Sequence, residues 1–484
     1  MTDLAERVPS DSSATPRGER MVALADSSVE PFDYLLYRVD ADPRTRSAAL
    51  DIEILERAPD WHEVLKRFDR ASRLLPRLRQ RVSEPTLPGA AARWTTDLDF
   101  DLAYHVRRCA LPAPGSLRQL LDFAVVEAES PLDPARPLWE ATLVEGLPGG
   151  RAALLLKISH ALADGSALLQ MQDALFDSEP DAPTPRFLPL PPSSRPTPLE
   201  AVAREMRDVS GGAGRVVLQA LTGCGDLVRE WLRAPIECTI GWTRVVRSAG
   251  RLISTPTAPS PLLRRRGLRS RVETAEVPLE SLRAAADRAG GTINDALLAA
   301  VCAGLGRYHE CLGLPVEGVP IAIPVSVRRP EDPPGGNRWS AARFRGATGP
   351  KDPVARIREL HEEALAARTH LPSAGLTLAA RIAGRLPGAL LTGVAAPILS
   401  STDVQVSNVR GPCVPRYLAG ARVERMCPVG PLPGVAVMVV LVSYLGTGYL
   451  GVRYDLDAIT HPELFEWCLH AGLAEVVALG LASG

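Results

Sequence analysis

Residues 156–169 read LKISHALADGSALL, placing His160 where an apolar run stops, with Ser159 before it and Asp164 and Gly165 shortly after. A histidine at the end of a strand can turn its ring into a cleft, because it no longer has to follow the sheet's alternation. With an ordinary pKa of about 6.5, imidazole is largely neutral at pH 7, so one ring nitrogen can accept a proton. Such a base can take the proton from an alcohol as its oxygen attacks a carbonyl, a contribution of about 10²–10⁴ in rate. Asp164 is too far along a turning backbone to orient His160 as a triad carboxylate would. Its expected part is to fix the loop through a charge pair or to cap the helix that follows. Gly165 gives the turn its conformational freedom. Ser159 invites a nucleophile reading, but neighbours on a strand point to opposite faces, so the imidazole does not readily reach that hydroxyl. A satisfied core histidine followed by a helix-starting aspartate remains the competing reading of this stretch.

The elements that must position these residues follow from periodicity. ALDIEIL (49–55) reads as a strand, and FDYLLYRVD (32–40) as the loop leading towards it. Helical spacing runs over 61–82, with Leu65, Phe68 and Leu75 on one face, and again over 117–130. PLDPARPLWEATLVEGL and RAALLLKIS hold two short strands separated by the Gly149-Gly150 turn, and DGSALLQMQDALF is the helix after the motif. Residues 177–199 are dense in proline and small or acidic residues, and 200–255 read mostly helical. Beyond them strands and helices alternate. The strands are RVETAEVP, VPIAIPVSV, VQVSNV, VERMC, VAVMVVLVSYL and YLGVRYD; the helices are SLRAAADRAG, INDALLAAVCAGLGRYHE, about 353–370, about 376–397, and an amphipathic one from His461. Asn294, just after Gly290-Gly291-Thr292, reads as a helix N-cap. The expected division is a disordered tail over 1–30, an N-terminal domain over 31–185 carrying the motif, a linker with a helical basic segment over 186–270, and a C-terminal domain over 271–484. Mixed strands and helices in both halves predict layered α/β or α+β domains.

Composition excludes several classes. The formal net charge of the 484 residues is −1, which argues against recognition of nucleic acid through bulk charge. Only Lys66, Lys157 and Lys351 are lysines among 55 basic residues. The 8 cysteines are scattered singly, suggesting neither a zinc site nor a disulfide framework. The N-terminus lacks the apolar core of a signal peptide, and the longest apolar run, VAVMVVLV, is too short to cross a bilayer. A cytoplasmic location is expected, with one qualification. Residues 213–271 hold 11 arginines against Asp226, Glu230 and Glu237, together with Trp231 and Trp242. A basic segment with tryptophans can lie on an anionic membrane or lipid-droplet surface; packing against the protein with a solvated arginine face is the alternative.

SHALADG, preceded by PLDPARPLWE (131–140) and followed by TINDALLAAV (292–301), resembles the bacterial wax ester synthase/diacylglycerol acyltransferase family, within the chloramphenicol-acetyltransferase-like, CoA-dependent superfamily. FDLAYHVR (100–107), PVSVR (324–328), GGN (335–337), SNVRGP (407–412) and VSYLGTGYLGVRYD (442–455) add agreement in the family's order, from about Phe32 to the C-terminus. The resemblance implies two similar two-layer α/β domains flanking a central substrate tunnel. It implies direct transfer of a long-chain acyl group from acyl-CoA to diacylglycerol or a long-chain fatty alcohol, with no metal or redox cofactor. His160 matches the family's general base, Asp164 and Gly165 its Asp-Gly, Asn294 and Asp295 its Asn-Asp pair, and Pro137, Leu138, Trp139 and Glu140 its P-L-W-E block. For that block the simpler expectation is structural, with Trp139 a core aromatic and Glu140 paired with a nearby arginine. Two departures stand out: Ser159 replaces the first histidine of H-H-x-x-x-D-G, and Arg410 stands where the family has proline. A condensation enzyme of the same superfamily and a non-catalytic lipid-binding descendant remain alternatives.

Overall fold

A computed structural model describes residues 27–87, 90–162, 171–183, 188–190, 197–210, 257–327, 337, 339–349, 351–369, 380, 384 and 388–481. The expectations for the tail before residue 27, for Asp164 and Gly165, for the basic segment over 211–256 and for most of the first half of the helix over 376–397 lie outside these residues.

Among the described residues there are two six-stranded sheets and a small ribbon. The ribbon joins β1 (Ser27–Ser28), β4 (Arg93–Thr96) and β3 (Gln80–Ser83) in that order. The first large sheet contains β2 (Ala49–Leu55), β5 (Val106–Ala110), β6 (Trp139–Glu145), β7 (Ala152–Ile158), β12 (Tyr417–Leu418) and β13 (Ala421–Val429), ordered β12-β13-β2-β7-β6-β5. The second contains β8 (Ser270–Pro278), β9 (Gly318–Ser326), β10 (Trp339–Ala347), β11 (Val404–Val409), β14 (Val437–Tyr444) and β15 (Thr447–Asp455), ordered β10-β9-β11-β14-β15-β8. The fold is mixed α/β in both halves.

β7 explains the apolar run that precedes the motif. All seven of its residues are buried. Leu154, Leu156 and Ile158 face a core shared with helices α1 (Pro31–Val39) and α2 (Trp61–Leu74). Ala153 and Leu155 face a second core under helix α3 (Leu117–Glu129). A strand covered on both faces reads as a continuous apolar run rather than an alternation. The Gly149-Gly150 turn between β6 and β7 has φ of 76° and 73°, a left-handed conformation open to glycine at no steric cost. Helices α5 (Leu279–Ala289), α6 (Ile293–Cys311), α7 (Pro353–Thr369) and α9 (Pro462–Leu481) pack into one core with the second sheet, while α4 (Pro198–Ser210) follows the proline-rich stretch and α8 (Gly388–Leu399) precedes β11.

Several elements differ from expectation, each for an identifiable reason. Residues 32–40 are helical, not a loop: Asp33, Leu36 and Val39 recur every third residue and are the buried ones, with Pro31 suited to the first turn. The helix over 61–82 stops at Leu74, because Pro76 restricts Leu75; a 3₁₀ turn, Pro76–Arg79, and β3 follow. β10 was not anticipated, since its inward positions Ser340, Ala342 and Phe344 alternate with Arg343 and Arg345 and make no apolar run. α9 is long and apolar enough to cross a membrane, and it is less amphipathic than expected. Its Phe465, Cys468, Leu469, Leu473 and Val476 are core residues, which accounts for that composition.

The halves interlock. β12 and β13, from the C-terminal part of the chain, complete the first sheet, with β13 antiparallel to β2. On its way β13 crosses β15 so closely that a Cβ on Gly451 would sit 1.6 Å from the Pro428 carbonyl oxygen. Glycine is required at that crossing.

Candidate active site

His160 lies in the turn after β7, half-buried, and Ser159 directly follows the strand's last residue, Ile158. The Ser159 N–H donates to the Leu138 carbonyl (3.0 Å), so the motif continues the β6–β7 pairing by one step before the chain turns. The turn closes through Leu162 N–H to the Ser159 carbonyl, 3.0 Å.

The imidazole Nδ1 of His160 meets the backbone carbonyl of Ser47. A carbonyl only accepts hydrogen bonds, so Nδ1 carries the proton and Nε2 holds the basic lone pair in the neutral ring. Ser47 precedes β2, the neighbour of β7. Its N–H and hydroxyl both donate to Asp40 Oδ1, each at 2.7 Å. The other oxygen of Asp40 accepts from the Ser159 hydroxyl at 2.7 Å, and that hydroxyl accepts from Ala161 N–H at 3.1 Å. Ser159 is therefore engaged with Asp40 and its own turn rather than with the His160 ring.

A second tie arrives from the C-terminal half. Asn337 donates its side-chain amide to the His160 carbonyl and to Asp33 Oδ1, the latter at 2.8 Å, while its N–H donates to the same Asp33 oxygen at 2.9 Å. Burial raises the Asp33 carboxyl to about 6, against the opposing pull of the Asn337 hydrogen bonds. Phe32 and Trp339 meet edge to face at 5.4 Å beside this junction. The motif turn thus sits where α1, the start of β2 and the segment before β10 converge.

The remaining sequence candidates fall into distinct places. Trp139 is fully buried, donates Nε1–H to the Leu78 carbonyl (2.8 Å) and lies between Phe68 and His105, with ring centroids 6.0 and 4.7 Å away. Leu138 is buried beside it, and Pro137 leads into β6. Glu140 pairs with Arg107 at 3.2 Å. The histidine of FDLAYHVR, His105, is a core residue: it bonds to the Trp139 carbonyl, and burial lowers its pKa. Asn294 is not the cap of α6. Thr292 takes that position in a capping box with Asp295, whose carboxylate also meets His361 Nδ1 at 2.8 Å. The Thr292 N–H and hydroxyl both donate to the Asp295 carboxylate, each at 2.8 Å, which leaves Asn294 in the first helical turn.

Sequence reasoning missed Asp40, Ser47, Asp33 and, as a site residue, Asn337. Asp40 and Ser47 are 7 positions apart, but their ties to the motif, and that of Asp33 to Asn337, span 113 to 304 positions, and no local spacing marks them.

Residues 25–297 match the wax ester synthase/diacylglycerol acyltransferase catalytic domain, and residues 335–476 match the C-terminal domain of the same family. A Mycobacterium tuberculosis protein that bears the provisional name diacylglycerol O-acyltransferase is 42% identical over 451 residues, covering 93% of this chain and 91% of the relative. Another from that organism with the same kind of name is 32% identical over 88% of this chain and 91% of the relative. Among solved structures, the wax ester synthase/diacylglycerol acyltransferase of Marinobacter aquaeolei VT8 superposes with a TM-score of 0.61 at 23% identity, covering 93% of this chain and 98% of that one. The first condensation domain of the calcium-dependent antibiotic synthetase gives 0.57 at 17% identity, over 95% of this chain and 97% of that one. The two solved structures share the two-domain fold. With both of its domains matched in order, the chain belongs to the wax ester synthase/diacylglycerol acyltransferase family and is an acyltransferase.

Proposed function

We propose that the protein transfers a long-chain acyl group from acyl-CoA to the hydroxyl of diacylglycerol or of a long-chain alcohol, with His160 as general base. The observation that carries this reading is the hydrogen bond from Nδ1 to the Ser47 carbonyl, which sets the neutral ring's tautomer with its basic lone pair on Nε2. Nε2 takes the hydroxyl proton while the oxygen forms its bond to the thioester carbonyl carbon. The tetrahedral oxyanion collapses with loss of the CoA thiolate, which recovers the proton from the imidazolium. Products are the ester and free CoA, and the histidine returns to its starting state. No covalent acyl-enzyme is needed, consistent with a Ser159 hydroxyl committed to Asp40. The acyl-CoA and the acceptor would reach His160 through a tunnel between the two halves, and the basic segment within 213–271 would hold the protein on an anionic membrane or lipid-droplet surface from the cytoplasmic side.

The test is CoA release from a long-chain acyl-CoA in the presence of diacylglycerol, a fatty alcohol or an amine. Turnover with either alcohol and loss of turnover in His160→Ala are the expected results. Turnover with the amine alone would favour a condensation-type reaction, and inactivity on all three would leave lipid binding as the function.

A further inference from the structure

We infer that Asp40 is the positioning residue of His160, holding its ring orientation and tautomer through Ser47, with Ser159 as a second anchor. This rests on His160 being the base.

Asp40 sits at the C-terminal cap of α1, its N–H bonded to the Leu36 carbonyl at 3.1 Å. The C-terminus of a helix carries partial negative charge, so a carboxylate there is electrostatically unfavourable. Three hydrogen bonds compensate. Two come from Ser47, whose N–H and hydroxyl converge on Oδ1, and the third comes from the Ser159 hydroxyl to Oδ2. Hydrogen bonds to an ionised acceptor are stronger than neutral ones.

The consequence reaches the imidazole from two directions. With both donors of Ser47 held on one oxygen, the orientation of its backbone is set, and the same residue's carbonyl receives His160 Nδ1–H. With the Ser159 side chain held on the other oxygen, the backbone from which His160 projects is anchored as well. One carboxylate therefore ties down both the partner of the ring and its attachment point. Ser47 and Ser159 are each buried, at 6% and 1% exposure, so water does not readily replace these contacts. In this chain the position where the resembling family has a first histidine serves as part of the clamp and not as a spare base.

Asp40→Asn separates positioning from charge. Its amide oxygen still accepts both Ser47 donors, and its NH₂ donates to the Ser159 oxygen. Asp40→Ala removes all three bonds. Steady-state CoA release is measured on the full-length protein with acyl-CoA and diacylglycerol, or the fatty alcohol if that is the better acceptor. Asp40→Ala is expected to lower kcat roughly 10–100-fold, as for other residues that orient a functional imidazole, with KM for both substrates changed less than about twofold. Asp40→Asn should stay within about threefold of the parent rate, and Ser47→Ala, which keeps the N–H and the carbonyl, should fall between them. In a His160→Ala background, Asp40→Ala should lower the residual rate less than about twofold further, because its effect acts through the ring that is gone. Nitrogen-15 NMR of histidine-labelled protein should show the Nδ1–H tautomer of His160 in the parent and in Asp40→Asn, and a mixture in Asp40→Ala.

A parent-like kcat in Asp40→Ala, while His160→Ala is inactive, overturns the inference and leaves the base assignment standing. An equal further loss from Asp40→Ala in the His160→Ala background also overturns it, since that marks a general structural effect. A parent-like rate in His160→Ala overturns the base assignment and this inference together. If Asp40→Ala does not fold, Asp40→Asn and Ser47→Ala decide by the same two readouts.

Discussion

At the scale of single residues, His160 and Ser159 are neighbours with opposite assignments. His160→Ala should reduce kcat by about 10²–10⁴ while circular dichroism and thermal midpoint stay near the parent. Ser159→Ala leaves one oxygen of Asp40 and the Ala161 N–H without their partner, at a cost of about 1–3 kcal/mol in stability. Ser47 still holds the other oxygen, so activity should fall less than about tenfold. Intact-mass spectrometry after mixing with acyl-CoA should find no acyl group on Ser159. An acylated Ser159, or a Ser159→Ala variant as impaired as His160→Ala, would mean a covalent route. The histidine itself was legible in the sequence, because its residue type at the end of an apolar run is unusual. Its partners were not, since Ser47 and Asp40 are ordinary loop and cap residues until folding brings them to the ring.

Two elements close to the motif make their own stability predictions. β2 carries Asp51 and Glu53 on the face that packs under the turn of helix at 171–175, where the Gln172 amide donates to both carboxyl groups. Burial raises both pKa values, that of Glu53 well above the usual range, with Asp51 adding repulsion. An acid with a raised folded-state pKa binds more protons folded than unfolded. Its stability contribution is therefore present at low pH and is lost as pH rises from the unfolded value of about 4 through the folded one. Glu53→Gln should raise the thermal midpoint at pH 7–8, with the gain shrinking as pH falls towards 4. A gain independent of pH, measured by calorimetry across that range, would contradict the assignment. β6 gives the second case. Trp139→Ala empties a fully buried site and orphans the Leu78 carbonyl, and chemical denaturation should show a loss of about 3–5 kcal/mol. KM of the folded fraction should stay near the parent value, as expected of a core residue.

At the scale of the molecule, the two halves depend on each other through the crossing of β13 over β15. Gly451→Ala puts a methyl group 1.6 Å from the Pro428 carbonyl oxygen, a separation no backbone tolerates without moving. The strands must part, so denaturant unfolding should lose cooperativity or shift its midpoint downward, whereas a parent-like curve would show that the crossing yields easily. The proposed attachment to membranes also belongs to this scale. Over 213–271 the net charge is +8, and each arginine near an anionic surface contributes about 1 kcal/mol. Flotation with anionic liposomes should therefore show binding that weakens as salt rises. Binding that is absent at low salt, or unchanged when 213–271 is deleted, would count against the segment.

The amino-acid sequence by itself determined the apolar strands, most helices, the position of His160 and the family, because these depend on residue type and on spacings of a few positions. It misread residues 32–40 as a loop leading into a strand, where burial on every third residue made a helix. It passed over β10, where alternating arginines masked an inward face of serine, alanine and phenylalanine. It assigned the cap of α6 to Asn294, although Thr292 and Asp295 close that turn between themselves. Only the tertiary structure decided that β13 completes the first sheet, that Asn337 reaches the His160 carbonyl, and that Asp40 holds Ser47 and Ser159 together. Apart from Asp40 and Ser47, those contacts join residues 119 to more than 360 positions apart in pairs set by strand order and helix docking, and nothing in a local pattern records which distant backbone a side chain will meet.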